Sequence, residues 1–208
     1  MKRLLLIFFY LTFLSCKEDH HKKGSVIRSP ISDNLLSTNI DTVSLVDFKA
    51  LSTFLTAHKS FNKRTVFFID MKIPSERFRF FVLDVPNKKI VNKGLVAQGI
   101  NTRPGVDGKL IFSNEINSYC SALGKYSVGE KYFGQYGTAF KLYGLDSSNS
   151  NAYQRNIVIH AYKAIPDAAQ KRKICYSQGC PMVSPAFFNK LQEIIDASKK
   201  PILLDIIY

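Results

Sequence analysis

The sequence predicts a mainly β domain of the α+β kind, with one helix ahead of the strands and another near the C-terminus. Three observations carry that prediction. From Arg64 the apolar residues recur with period two, in T-V-F-F-I-D (65–70), R-F-R-F-F-V-L-D-V (77–85) and K-I-V-N-K-G-L-V-A-Q-G (89–99). The β pattern continues through G-E-K-Y-F-G-Q-Y-G, F-K-L-Y-G-L and I-V-I-H-A. Helical spacing occurs in only two places, Leu45 to Leu55 and Phe187 to Ile195.

The chain opens on a basic pair, Lys2 and Arg3, followed by an apolar run from Leu4 to Leu14 that is too short for a permanent membrane helix. That run ends F-L-S-C, which resembles a bacterial lipobox. The expected processing removes residues 1–15 and places lipid on Cys16. K-E-D after Cys16 resembles an export tag to the outer membrane, and a solvated charge run explains it equally well. Residues 16–40 are polar and read as a tether. His20 and His21 within it read as solvated side chains. Residues 41–208 are left for one domain, long enough to bury a core.

Cleavage before Cys16 takes two positive charges off a formal +13. The remaining charge is spread along the chain rather than packed into one helix, and no nucleic-acid motif accompanies it. Anionic wall polymers and lipid head groups therefore fit better as partners than nucleic acid. No cofactor and no metal are expected; Cys175 and Cys180 are too loosely spaced for a structural zinc site.

Within the domain, Ser44 with Asp47 reads as a capping box for a helix running to about His58, with Leu45, Phe48, Leu51 and Leu55 as its stripe. His58 near its end suits the helix dipole. The strands 77–85 and 89–99 form a hairpin about Pro86-Asn87-Lys88. A glycine-rich loop with Asn101, Pro104, Gly105 and Gly108 comes next.

The chemistry gathers between Ile157 and Pro181. The strand I-V-I-H-A carries His160 at its end, with Val158 on the same face. A basic loop with Lys171, Arg172 and Lys173 leads to S-Q-G-C-P, where Gly179 permits a tight turn at Cys180. Ser184 reads as an N-cap with Pro185 at the first helical position, followed by Phe187, Phe188, Leu191, Ile194 and Ile195. That arrangement predicts Cys180 near a helix N-terminus, where the dipole favours the thiolate. Alone, Cys180 reads as a small buried hydrophobe and His160 as a satisfied core histidine. Together they read as nucleophile and base. Cys120 and Cys175 have no evident purpose; they suit a disulfide in an oxidising compartment.

An apolar strand ending in His160, with Ser177, Gly179 and Cys180 seventeen to twenty residues on, resembles the signature of the L,D-transpeptidases of peptidoglycan. Ala161 stands where the family has Gly, and Pro181-Met182 replaces the stretch carrying its usual Arg. A divergent branch, the murein L,D-transpeptidase catalytic domain proteins, has G-C-P at this point and is more similar. The likeness covers about residues 64–208 and includes L-G-K-Y, Phe112-Ser113-Asn114 and the run Ser118 to Ser121. It implies a barrel-like β-sandwich in which Cys180 attacks a stem-peptide carbonyl and His160 is the base. Ser177, Gln178 and Gly179 form the motif framework, the N–H groups of Gln178, Gly179 and Cys180 being the oxyanion donors. Substrate-binding candidates are Ser113, Asn114, Ser121, Gly124 and Tyr126, with Arg172 standing in for the missing arginine. The expected protein is a lipid-anchored enzyme of the cell envelope, periplasmic or on the outer-membrane surface. An L,D-carboxypeptidase, another Cys/His amidase, and an idle wall-binding lipoprotein stay open as alternatives; His before Cys argues against a papain-like order, and intact His160 and Cys180 against the last.

Overall fold

The structure, a computed structural model, describes residues 46–208. The leader, Cys16, the tether with His20 and His21, and Ser44 lie outside the described residues.

Helix α1 spans Phe48–Ala57. Its cap is Asp47, whose Oδ1 accepts the Ala50 N–H at 2.9 Å, so the helix starts later than the Ser44 capping box predicted. Asp serves as well as Ser at an N-cap, and here it holds that position itself. At the other end the His58 ring lies 2.9 Å from Phe54 O by its Nδ1 and stacks on Phe54, in keeping with the dipole reading.

Eight strands follow: β1 (Thr65–Asp70), β2 (Phe80–Asp84), β3 (Lys89–Gly94), β4 (Gly124–Gly134), β5 (Gly137–Gly144), β6 (Val158–Ala161), β7 (Met182–Val183) and β8 (Leu203–Ile207). Helix α2 (Pro185–Asp196) stands between the last two. The sheet order is β3-β2-β1-β8-β4-β5-β6-β7. β8 enters the middle, parallel to β1 and antiparallel to β4. Beyond β3 the chain curls back. Val96 bridges Val183, and the Ala97 N–H reaches Met182 O at 2.9 Å, so the two sheet edges nearly meet in a barrel-like form. The predicted 77–85 and 89–99 strands are thus shortened to β2, β3 and two isolated bridges, at Val96 and Gly99.

The apolar runs in β1, β2 and β8 are continuous because both faces are covered. One face packs with α1 through Phe68, Phe81, Leu83 and Leu203. The other packs Phe67, Ile69, Phe80, Val82 and Leu204 with Phe187, Phe188 and Leu191 of α2. α2 begins as its sequence predicts: Ser184 Oγ accepts the Phe187 N–H at 3.2 Å, and Pro185 occupies the first turn. β4 and β5 alternate instead, with Phe140 and Leu142 inward and Lys141 and Tyr143 on the opposite face. No helix among the described residues is long and apolar enough to cross a membrane.

Candidate active site

β6 and β7 run parallel, with His160 opposite Met182 and Ala161 opposite Val183. Cys180 lies two residues ahead of Met182, so the strand pairing sets the thiol at the start of β6 and the imidazole farther along it. Cys180 Sγ faces the Asn156 carbonyl at 3.6 Å. The Val158 N–H also reaches the sulfur, favouring its anionic form. Asn156 has a φ of +54°, a left-handed conformation that asparagine tolerates better than most residues.

The turn before the cysteine depends on Gly179. Its φ is +116°, and a Cβ there would lie 2.8 Å from Cys120 O and 3.2 Å from an Arg155 nitrogen. The Gly179 N–H is already donated to Ser177 Oγ at 3.1 Å. Of the three amides expected to form an oxyanion hole, that of Gly179 is therefore committed to the turn.

β7 lies between Cys180 and the N-terminus of α2, and the thiolate that the helix dipole was expected to favour is disfavoured on balance. Burial pushes the thiol above its ordinary 9.0, with the Val158 N–H and the charges of Arg155 and Lys141 working against that shift. His160 is buried and moves the other way. Burial lowers its imidazole below 6.5, partly offset by the bond to Ala161. Its ring stacks on Tyr136, which closes the β4–β5 hairpin, with centroids 4.9 Å apart. Both shifts favour the neutral forms, thiol and imidazole, over the charged ones.

A polar network stands behind the cysteine turn. Arg79, 1% exposed, donates to Val96 O, Ile73 O and Gln98 Oε1. Gln98 Nε2 donates to Thr102 O, and Thr102 Oγ1 accepts the Ser121 N–H at 2.7 Å. Ser121 Oγ accepts the Gly99 N–H, while the Ser177 N–H donates to Gln98 O and Ser177 O accepts the Ile100 N–H. Ser177 and Ser121 thus belong to the frame of the turn.

The other sequence candidates divide. Ser113 O accepts from Arg155 Nη1 at 2.8 Å, and Asn114 is stitched to Ser147, Ser150 and Asn151. Gly124 starts β4 with φ +113°, and a Cβ there would meet Asp146 at 2.7 Å. Tyr126 is 1% exposed and gives its hydroxyl to Ala122 O at 2.8 Å, offering no surface to a substrate. Arg172 is exposed. Its neighbour Gln170 is tied to Glu76 O, and Ile165 and Ile174 pin the loop against Leu95 and Ala97. Cys120 and Cys180 are free thiols, and Cys120 forms no disulfide with Cys175, contrary to the pairing the sequence suited.

Arg155 escaped the sequence reading. Its guanidinium holds Ser113 O, Ser118 Oγ and Cys120 O, tying the 113–120 loop to the segment just ahead of β6. Lys141 escaped it too. The period-two pattern of β5 puts it on the same face as His160, and nothing else in the sequence marks either residue.

A family model described as L,D-transpeptidase catalytic domain matches residues 38–203. Among solved structures, the L,D-transpeptidase from Xylanimonas cellulosilytica DSM 15894 is 15% identical at a TM-score of 0.41, over 69% of this chain and 60% of that one. The helical cell shape determining protein Pgp2 from Campylobacter jejuni is 15% identical at 0.40, over 69% and 47%. Bd1075 from Bdellovibrio bacteriovorus is 22% identical at 0.40, over 70% and 48%. The chain spans between about half and three fifths of those chains. No curated protein matches it.

Proposed function

Because the chain belongs to the L,D-transpeptidase catalytic domain family, we propose that it is a cell-envelope enzyme that cuts and rejoins peptidoglycan stem peptides through an acyl-enzyme on Cys180. The observation that carries this reading is the environment of His160. Its Nδ1 lies 3.0 Å from Ala161 O. A carbonyl only accepts, so Nδ1 carries the proton and Nε2 keeps a free lone pair.

In the reaction proposed, Nε2 takes the Sγ proton as the sulfur attacks the carbonyl carbon of the third stem residue. The Gln178 and Cys180 amides receive the developing oxyanion, each such donor typically being worth about 3 kcal/mol of barrier. Collapse breaks the peptide bond, and the imidazolium proton leaves with the amine of the terminal D-alanine. The amine of a second stem then attacks the thioester, Nε2 takes its proton, and Sγ–H is restored. Ala161 O holds the ring in place of a carboxylate. With water as acceptor, the same steps make an L,D-carboxypeptidase.

Anchoring through lipidated Cys16 belongs to the same proposal and rests on F-L-S-C after the apolar run. The test of the chemistry is mass spectrometry of the protein incubated with purified tetrapeptide stems. The expected result is loss of D-alanine, an adduct on Cys180 and a cross-linked product. With Cys180→Ala all three should vanish; D-alanine release that survives the substitution would refute the reading.

A further inference from the structure

We infer that Lys141, held between the rings of Tyr132 and Tyr153, is a carboxylate-binding subsite that reads the free C-terminus of the donor peptide. The inference rests on the reading that Cys180 attacks the peptide bond before a terminal residue. The carboxylate of that residue then lies within about 4 Å of the scissile carbonyl, one peptide unit away. Only a cation in the neighbourhood of the thiol can reach it.

Three cations compete for that task. Arg172 is on the exposed loop pinned toward Glu76. Arg155 is close enough, but its two terminal nitrogens are committed to Ser113 O, Ser118 Oγ and Cys120 O. Lys141 remains. It stands opposite Val158 in the β5–β6 pairing, one row from Ala139 and His160, on the face they share.

Its ammonium is held without being neutralised. Nζ sits 5.0 Å from the Tyr132 ring centre and 5.4 Å from that of Tyr153, with Asn156 Oδ1 at 3.5 Å. Asn156 is also the residue whose carbonyl faces Sγ. Among the described residues, Lys125 has Asp205 and Lys131 has Asp196, while no carboxylate pairs with Lys141. Glu130, whose carboxyl feels the Lys141 charge, has both oxygens bonded by the Tyr143 hydroxyl at 2.7 Å. Lys141 and Arg155 both lower the thiol's pKa, which places this charge within electrostatic reach of the reacting atom. The result is a fixed, half-buried cation within electrostatic reach of the nucleophile, with donors to spare. A carboxylate supplies what it lacks, whereas an amide terminus offers no charge.

Binding separates this subsite from the chemistry. A tetrapeptide stem and its C-terminal amide are titrated calorimetrically into Cys180→Ala protein, with Lys141 intact, as Lys141→Met and as Lys141→Arg. The expected result is at least tenfold tighter binding of the acid with Lys141, less than twofold with Lys141→Met, and a preference kept by Lys141→Arg. Equal binding of acid and amide with Lys141 present, or a preference that survives Lys141→Met, overturns the subsite. Turnover is scored separately on the enzyme with Cys180. A protein that prefers the acid yet turns nothing over refutes the proposed reaction and upholds the subsite.

Discussion

The Nδ1 atom of His160 lies 3.0 Å from the carbonyl oxygen of the next residue, Ala161. One hydrogen bond thereby sets the tautomer, aims Nε2 away from the backbone, and needs no carboxylate. It suits the role proposed for His160 as base: burial lowers the imidazole below 6.5 and raises the thiol above 9.0.

That arrangement predicts a broad plateau in acylation rate. The rate should climb from the acid side with an apparent midpoint below 6.5 and stay level until above pH 9, both values belonging to the pair. Pre-steady-state acylation across pH measures it. An acid-side midpoint above 7 would refute the neutral pair. His160→Ala should slow acylation by about 10² to 10⁴-fold, and an unchanged rate would show that His160 activates nothing.

The same burial has a stability consequence. His160 binds its proton more weakly folded than unfolded, so its contribution is complete above pH 6.5 and is lost as pH falls through the lower folded value. Urea midpoints at pH 7.5 and 5 should show a larger acid loss in the parent than in His160→Gln. Parallel losses would place the acid sensitivity elsewhere.

Gly179→Ala puts a methyl 2.8 Å from a backbone oxygen at a φ of +116°. The strain alone costs about 1–3 kcal/mol, and the turn that carries Cys180 must shift. Lower thermal stability and altered alkylation of Cys180 are expected; a parental melting curve with parental alkylation would contradict the geometry.

Arg155→Met removes a charge that favours the thiolate and frees the 113–120 loop. The thiol pKa, read from iodoacetamide rate against pH, should rise further. Arg155→Lys should restore part of the charge effect without the two-pronged grip. A thiol pKa that stays put in Arg155→Met would make Arg155 structural only.

The near-complete reading of β1, β5, β6 and α2 from sequence has a local cause. Each is specified by its own apolar period or cap, as Ser184 and Pro185 show at α2. What escaped depends on residues far apart in the chain. Nothing in residues 203–207 announces that β8 enters between β1 and β4. The Arg155 bonds span up to 42 residues, from Ser113 onward. The thiolate that the helix dipole was expected to favour is disfavoured because burial at the cysteine turn outweighs every favourable charge, and the burial of one side chain is not visible in the sequence. The placement of His160 on a strand and of Cys180 on a glycine turn was legible because each is set locally, whereas the surroundings of Ser113, Asn114 and Ser121 are set by residues distant in sequence.

The buried Arg79 poses two opposed effects, and the hydrogen bonds decide between them. Removing a buried charge relieves a desolvation cost large enough to pull the guanidinium down to about 10, and apolar replacements of buried ion pairs are sometimes neutral. Here, however, the partners are not ions. Val96 O, Ile73 O and Gln98 Oε1 all accept from Arg79, and Arg79→Met leaves these acceptors facing an apolar chain. Each unsatisfied buried acceptor costs about 1–3 kcal/mol, so the balance falls on destabilisation. The damage should also travel: Gln98 holds Thr102, which holds Ser121, and Gln98 O anchors Ser177 beside the nucleophile. Arg79→Met should therefore lower the melting temperature and change the alkylation rate of Cys180 together. Arg79→Lys should recover less than half of either, because one ammonium cannot reproduce the fork that serves both Val96 and Gln98. Loss of stability in Arg79→Met with parental Cys180 reactivity at a temperature where the fold is intact would disconnect Arg79 from the cysteine turn.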